Sequence, residues 1–394
     1  MLRSVFLLFL VLLSVWIPVR AAQSSPMSRV AYMKQRVEQR RKARLVRRPS
    51  WLAPLAPQGD KTHPFSSSSF PTIPTVPTIL TLPFPPSTDP LPVSDIRADI
   101  SLLGSVTPIL GSVRIFHNEE PLDVRRISVD LLVAPLSVDS LLVYDGDRRF
   151  LGRATLDTSV SGNRRFTLRL SNGVFVVPKR EERSVYVRAL LKERDAGGVS
   201  GEEFRVYEFR IEGDGVWSNA EYIKPLTETF PTFQTARARF TSITNVDALA
   251  GHIPLGHSQR VAAFRFSGER RDGAAELRVT DLTFQIGKSS DITLSNAVLR
   301  GRDAGSDHGC TVGSTTITCS SIPAAHGVIP EGGRVLELFA DVASTGAVNS
   351  PFLQVTLNSP GTVDTAGHIS WTDGSTAFTW VPFEQPVVRG TGWK

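Results

Sequence analysis

Two cysteines in 394 residues cannot hold a chain of this length together, so disulfides are not its framework. Histidine is almost as sparse: there are seven, and no pair has HExxH spacing. There is no GxSxG elbow, no P-loop and no GxGxxG opening a helix. Metallohydrolase, serine-hydrolase and nucleotide chemistry are thus left without a local signature. Carboxylates are plentiful, but most of them, among Glu202, Glu203, Glu208, Asp281 and Glu337, fall in turns or on alternate, solvent-facing strand positions. No paired acid and base can be named among them. After residue 21 no second long apolar run occurs, which argues against a further spanning helix. The expectation is a protein with no catalytic, cofactor-binding or metal-ligating residues.

What is present begins with a short basic start, Met1-Leu-Arg3, and the apolar run Ser4 to Trp16. Val19-x-Ala21 follows, with small side chains at the two positions that a signal peptidase reads. Residues 1–21 therefore read as a secretory signal, with an uncleaved anchor as the reading left open. The apolar core is short against the ~20 residues of a spanning helix. An extracytoplasmic location follows, secreted or attached at the cell surface.

The net charge of +6 is unevenly spread. Residues 22–48 form a basic segment that can make a short helix with Val30, Met33 and Val37 along one edge. Lys34, Arg36, Arg40, Arg41, Lys42, Arg44, Arg47 and Arg48 give it the charge for contact with an anionic surface. A plain solvated tail is the alternative. From Pro49 onward the chain holds 33 basic and 37 acidic residues. A mildly acidic body without a basic stripe argues against nucleic acid as partner. Residues 49–92 are a Pro/Ser/Thr-rich linker with Pro71, Pro74 and Pro77 at every third position. Proline removes amide donors and biases its neighbours to extended backbone, so this stretch predicts a semi-rigid spacer.

The rest reads as all-β. Residues 93–224 carry seven short alternating runs: Ser112–His117, Arg126–Ala134, Ser140–Tyr144, Phe150–Leu156, Arg165–Leu170, Ser184–Leu191 and Phe204–Ile211. Gly, Asp, Asn and Pro separate them, and no convincing helix intervenes, so two-layer antiparallel packing is expected rather than βαβ units. Residues 233–388 repeat the grammar with Val261–Phe266, Glu276–Ile286, Ile292–Arg300, a Cys310–Cys319 hairpin, Val335–Val342 and Phe352–Leu357. A Val-Val-Pro ending at Pro178 precedes SVYVRALL, and a Val-Ile-Pro ending at Pro330 precedes VLELFADV. That correspondence predicts an internal repeat. Residues 389–394 are a tail. The expected fold is two antiparallel β-sandwich domains in tandem after signal and spacer.

The runs ISVDLLV, SLLVYDG…RFLG and VVP…SVYVRALL resemble tandem immunoglobulin-like β-sandwich modules of secreted bacterial surface proteins. The resemblance spans about 93–224 well and 255–360 loosely, since the second half has no clear YDG…LG hairpin. It implies architecture and a cell-envelope setting, and it implies no chemistry.

Few residues remain as candidate sites. Cys310 and Cys319 should pair in an oxidising compartment, since zinc through His308 lacks a fourth ligand. Asp145-Gly-Asp147 reads as a hairpin turn rather than a calcium loop, and Asp303, Asp307 and His308 read as a flexible loop. Trp371, Phe378 and Trp380 lie in turn-rich sequence near the C-terminus. They either fill the end of the second core or form an exposed platform for sugar rings. The leading functional reading is a structural, scaffold or adhesion protein, its partners being envelope protein or glycan. Carbohydrate recognition by the C-terminal aromatics is second, and a secreted hydrolase is a distant third. Self-association through an open strand edge stays open.

The export reading is checked by fractionating the native cell and weighing the intact protein. A mature chain beginning at Ala22 in envelope or medium is expected. Recovery of the full-length chain from the cytoplasm would overturn it.

Overall fold

The computed structural model describes residues 96–394, apart from 163, 248–250, 302–303 and 347–349. The signal, basic segment and linker expected above lie outside the described residues.

The first half contains β1 (Ile100–Leu102), β2 (Gly111–Phe116), β3 (Leu122–Leu131), β4 (Val138–Asp145), β5 (Phe150–Leu156) and β6 (Arg165–Arg169). It continues with β7 (Val176–Val177), β8 (Glu182–Leu191), β9 (Glu203–Phe204), β10 (Val206–Gly215), β11 (Glu221–Leu226) and β12 (Phe233–Ala236). The second half has β13 (Ala238–Asn245), β14 (Gly256–Arg270), β15 (Arg278–Lys288), β16 (Ile292–Gly301), β17 (His308–Gly309) and β18 (Thr311–Val312). After these come β19 (Thr316–Cys319), β20 (Arg334–Ser344), β21 (Leu353–Leu357), β22 (Ile369–Thr372), β23 (Ala377–Phe378) and β24 (Val388–Trp393).

The fold is all-β, and alternation explains most strands. In β8, Val185, Val187, Ala189 and Leu191 enter the core, while on the other face Arg188 and Leu190 keep some exposure and Tyr186 is covered by stacking on Tyr144. In β10 the buried Val206 and Phe209 are three positions apart, and a bulge opposite β3 absorbs the odd residue. One sheet runs β11-β10-β3-β6-β5-β4-β8-β2, with β7 on β3. It turns back on itself at β5, whose first part pairs with β4 and whose Thr155 and Leu156 pair with β6. Side chains from both limbs, Val113, Val143 and Val187 on one and Val129, Phe166 and Phe209 on the other, fill one apolar core. Each of these phenylalanines contributes on the order of 2–3 kcal/mol by leaving water.

The second half repeats this pairing scheme. The β14-β20 register matches that of β2-β8, with Phe264 facing Leu336 as Val113 faces Val185. β16 lies on β20 as β4 lies on β8, and β19 and β21 flank β15 as β6 and β10 flank β3. The corner strand recurs as β17 on β16 and β18 on β19, with Cys310 between them. Thr311–Thr318 and Val312–Ile317 occupy the places of Thr155–Thr167 and Leu156–Phe166. The Cys310–Cys319 disulfide therefore stands where the first half has buried Ala154 and Leu168.

Several elements depart from the sequence reading. The run expected to reach Ala134 ends at Leu131, and Leu132 and Val133 are exposed ahead of Pro135. Strands β11, β13 and β22 to β24 escape a reading by pattern, because short or polar runs hide the alternation. The largest departure is a parallel pair. β1 pairs with β12 in parallel, and β9 joins β12 from the other side. Phe230 and Phe233 belong to the first core and Ile100 to the second, so the two cores interleave in sequence at this junction.

A buried carboxylate closes the junction. Asp373, fully buried, accepts from the Arg237 amide at 2.7 Å and from the Ser200 hydroxyl. It also accepts from the Ser375 amide and hydroxyl and the Thr376 amide, each at 2.9 Å. Burial alone would raise its pKa, but these donors outweigh it and hold the carboxyl below its usual range. Beside it, Arg237 pairs with Asp272 at 2.6 Å, and the Trp380 indole donates to Gln234 at 2.8 Å.

Two outcomes follow. Replacing both Cys310 and Cys319 by alanine should lower unfolding stability by about 3 kcal/mol, the loop-closure value for ten residues. An unchanged denaturation midpoint would show the corner holds without the bond. Asp373→Asn sets an amide among five donors and should cost about 3 kcal/mol. With its folded pKa lowered, the carboxylate's stabilisation is complete above about pH 4 and is lost as pH falls below it. The acid limb of the melting temperature against pH should accordingly be flatter in the variant.

Candidate functional site

The residues singled out from sequence go to different places. Cys310 and Cys319 are disulfide-bonded, with an S–S distance of 2.01 Å. Lys34, Arg36, Arg40, Arg41, Lys42, Arg44, Arg47 and Arg48 lie outside the described residues. Trp371, Phe378 and Trp380 are buried, the core-filling arrangement of the two that the sequence left open. Trp371 stacks on Phe378 at 4.2 Å, meets Phe240 edge-on at 5.3 Å, and donates its indole N–H to the Trp380 carbonyl at 2.9 Å. An aromatic with both faces packed and its one donor satisfied has nothing to offer a sugar.

Several of the carboxylates are occupied as well. Asp145 caps its own turn by accepting from the Asp147 and Arg149 amides. Glu202 holds the Leu136 and Ser137 amides. Asp307 makes a two-pronged pair with Arg300, whose guanidinium holds its pKa down. His326 is buried, which lowers its pKa, and it lies 6.1 Å from the His308 ring. Among the described residues no group of three or more His, Cys, Asp or Glu is placed to hold a metal ion.

The feature with the clearest capacity to bind is at the opposite end of the first half from the junction. β8 ends next to the junction, where Arg194 reaches Asp272, and β10 starts beside the β9-β12 pair. The other ends of these strands, Glu182 and Gly215, therefore lie together at the far end, with β2 ending there at Phe116. The β10-β11 connection carries Trp217, two-thirds exposed at 67% and the most exposed large apolar side chain among the described residues.

Its mount is rigid. The Glu120 carboxylate, itself buried, accepts from the Trp217 amide at 2.6 Å, the Ser218 amide at 3.0 Å and the Ser218 hydroxyl. The Ser218 hydroxyl and these amides lower the Glu120 pKa against the opposing effect of burial. Gly215 gives the Glu120 carboxylate room, since a Cβ would lie 2.2 Å from its oxygen and the glutamate would have to shift. Val216 donates its amide to Pro121, and His117 meets Tyr222 edge-on at 5.3 Å. The Lys179 ammonium sits 5.3 Å from the indole centroid. Exposed Phe116 and Val216 belong to the same end.

A flat indole on a fixed loop, flanked by a cation, can stack against a sugar ring or a partner side chain at small entropic cost. Sequence reading passes over Trp217 because it sits in a turn, in GDGVWSNAEY, outside any alternating run. The usable signal is a lone tryptophan between glycine and Ser-Asn, where a core residue would need a strand.

No protein-family model and no curated protein sequence matches the chain. Among solved structures, similarity is found to the C-terminal domain of the Streptococcus agalactiae antigen I/II polypeptide BspA. There the identity is 7%, over 75% of this chain and 94% of that one, with a TM-score of 0.22. The C-terminal domain of the Streptococcus pyogenes antigen I/II-family protein AspA gives 7% identity, the same coverage and a TM-score of 0.21. The T6 backbone pilin of serotype M6 Streptococcus pyogenes gives 9% identity over 66% of this chain and 58% of that one, at 0.18. Likenesses of this size leave the functional reading to the residues themselves.

Glu120→Ala should free the hairpin, and amide exchange at Trp217 and Ser218 should quicken at least tenfold while the β3 and β8 amides hold. Glu120 has a lowered pKa, so its hold is complete above the ordinary carboxylate range and loosens as pH falls through its folded value. Equal exchange in wild type and variant would show that the loop does not depend on this carboxylate.

Proposed function

We propose that this chain is a non-catalytic, extracytoplasmic scaffold or adhesion protein. Two β-sandwich modules in tandem, joined rigidly at the Asp373 junction, present the Trp217 hairpin at one end. The single observation that carries the reading is the exposed indole on a loop whose backbone is held by the buried Glu120 carboxylate. A loop without a contact to make has no need of such a mount. The mixed-charge outer strand faces, such as Arg114 with Glu182 and Arg126 with Glu212, fit a solvated scaffold.

The partner in this reading is a component of the cell envelope, with no role for nucleic acid. The basic segment 22–48 adds an anionic-surface contact, and self-association is a further property to be measured. A second reading, carbohydrate recognition, is favoured by the indole and the adjacent Lys179 ammonium, a combination suited to the C–H face and hydroxyls of a sugar.

The test is pull-down on isolated envelope material, followed by a glycan array, with wild type and Trp217→Ala. Both should fold identically, since the side chain is exposed. Loss of at least tenfold in retention by the variant supports the reading, and the array separates glycan from protein partner. Equal retention of the two would remove Trp217 from any binding role.

A further inference from the structure

The chain enters the described body at the junction instead of at the tip of the first half. β1 pairs with β12 in parallel register, Ile100 with Gln234, Ser101 with Thr235 and Leu102 with Ala236. The Gln234 amide donates to Asp99 at 3.0 Å, and the Leu103 amide donates to Ala236 at 2.9 Å. Side chains tie the same few residues to the second half. Ile100 is buried in the second core. Arg239 pairs with Asp99 at 3.2 Å and donates to the Ile100 carbonyl at 2.9 Å. Arg97 pairs with Glu384 at 2.5 Å. Everything between β1 and β12, from Leu103 to Thr232, is an excursion whose two ends lie side by side.

We propose that the β1-β12 pair is a mechanical clamp that keeps the first half out of the load path between the N-terminal stretch and the second half. The geometry sets how it bears load. Tension drawn through Arg97 pulls β1 toward its N-terminus. Resistance through Ala238 pulls β12 toward its C-terminus. Two parallel strands drawn in opposite directions slide along one another, so their hydrogen bonds carry the load together instead of opening in turn. Arg239 and the buried Ile100 resist the same displacement. The first half, with Trp217 at its far end, then stays folded while the protein is under tension, whatever Trp217 contacts.

The experiment is single-molecule stretching of the full chain held at its two ends. Releasing Leu103–Thr232 adds about 450 Å of extended chain, at ~3.3–3.6 Å per residue. A Ser101→Cys/Thr235→Cys variant identifies this long step. The two positions are register partners on neighbouring strands, at a spacing a disulfide accepts. The Ser101 hydroxyl makes no hydrogen bond that would be lost, while Thr235 gives up its bonds to the Val199 carbonyl and the Glu202 amide, so the reduced form of the variant is the control. In the cross-linked form the long step should vanish and the second-half steps should remain.

In wild type the long step should come last and at the highest force. In Ser101→Pro, which strips β1 of a donor and restricts its backbone, it should come first and at a lower force. If that variant fails to fold, the order of steps in wild type still decides. A long step that precedes the second-half steps in wild type would overturn the proposal. So would an unchanged force in Ser101→Pro.

Discussion

The buried carboxylate of Asp373 is the interaction on which the rest of the molecule depends. It stands at the seam of the two cores and takes five donors, one a side chain of the first half and one the amide of Arg237, just past the connecting strand β12. A charge out of water is tolerated only when its lone pairs are fully occupied. Rotating one half against the other would strip a donor from it, so the two cores of the described residues are held together at this seam. The neighbouring groups follow the same logic. Trp380 donates across to Gln234, and a side chain at Gly201 would strike Thr376 at 2.5 Å.

Inside each half the hardest place to build is the corner where one strand passes from one limb of the sheet to the other. The first half solves it by close approach. Gly152 comes so near Leu168 that a Cβ there would lie 2.6 Å from the leucine side chain, and Ala154 is buried at the bend. The second half has the two-residue β17 in place of a full strand, which leaves it less backbone pairing. There a covalent bond between Cys310 and Cys319 stands where an apolar pair stood. One pairing scheme thus carries two different corner chemistries, and only the second needs an oxidising compartment.

Aromatic residues show how context divides identical side chains into interior and surface. Trp371 and Phe378 face one another on neighbouring strands β22 and β23 and seal the core. Trp217 sits beyond the end of β10, where the sheet's periodicity no longer directs it inward and the Glu120 carboxylate fixes the backbone instead. Composition makes the C-terminal cluster conspicuous, yet among the described residues the tryptophan most open to solvent is Trp217.

Most of the strands are legible in the sequence because a two-residue period survives wherever one face meets a core. Phe150–Leu156 can be read to its bounds, and the cysteine pair can be named because two thiols nine positions apart flank a turn. By itself, then, the chain's local chemistry determined an all-β body, its two-fold repeated grammar and its single disulfide. Tertiary structure alone decided the parallel β1-β12 pair, the interleaving of Ile100 and Phe233 between cores, and which tryptophans face water. Periodicity reports which side of a strand is apolar. It carries no information about which distant segment covers that side, so contacts such as Ser200 with Asp373, 173 residues apart, arise only when the whole chain has closed.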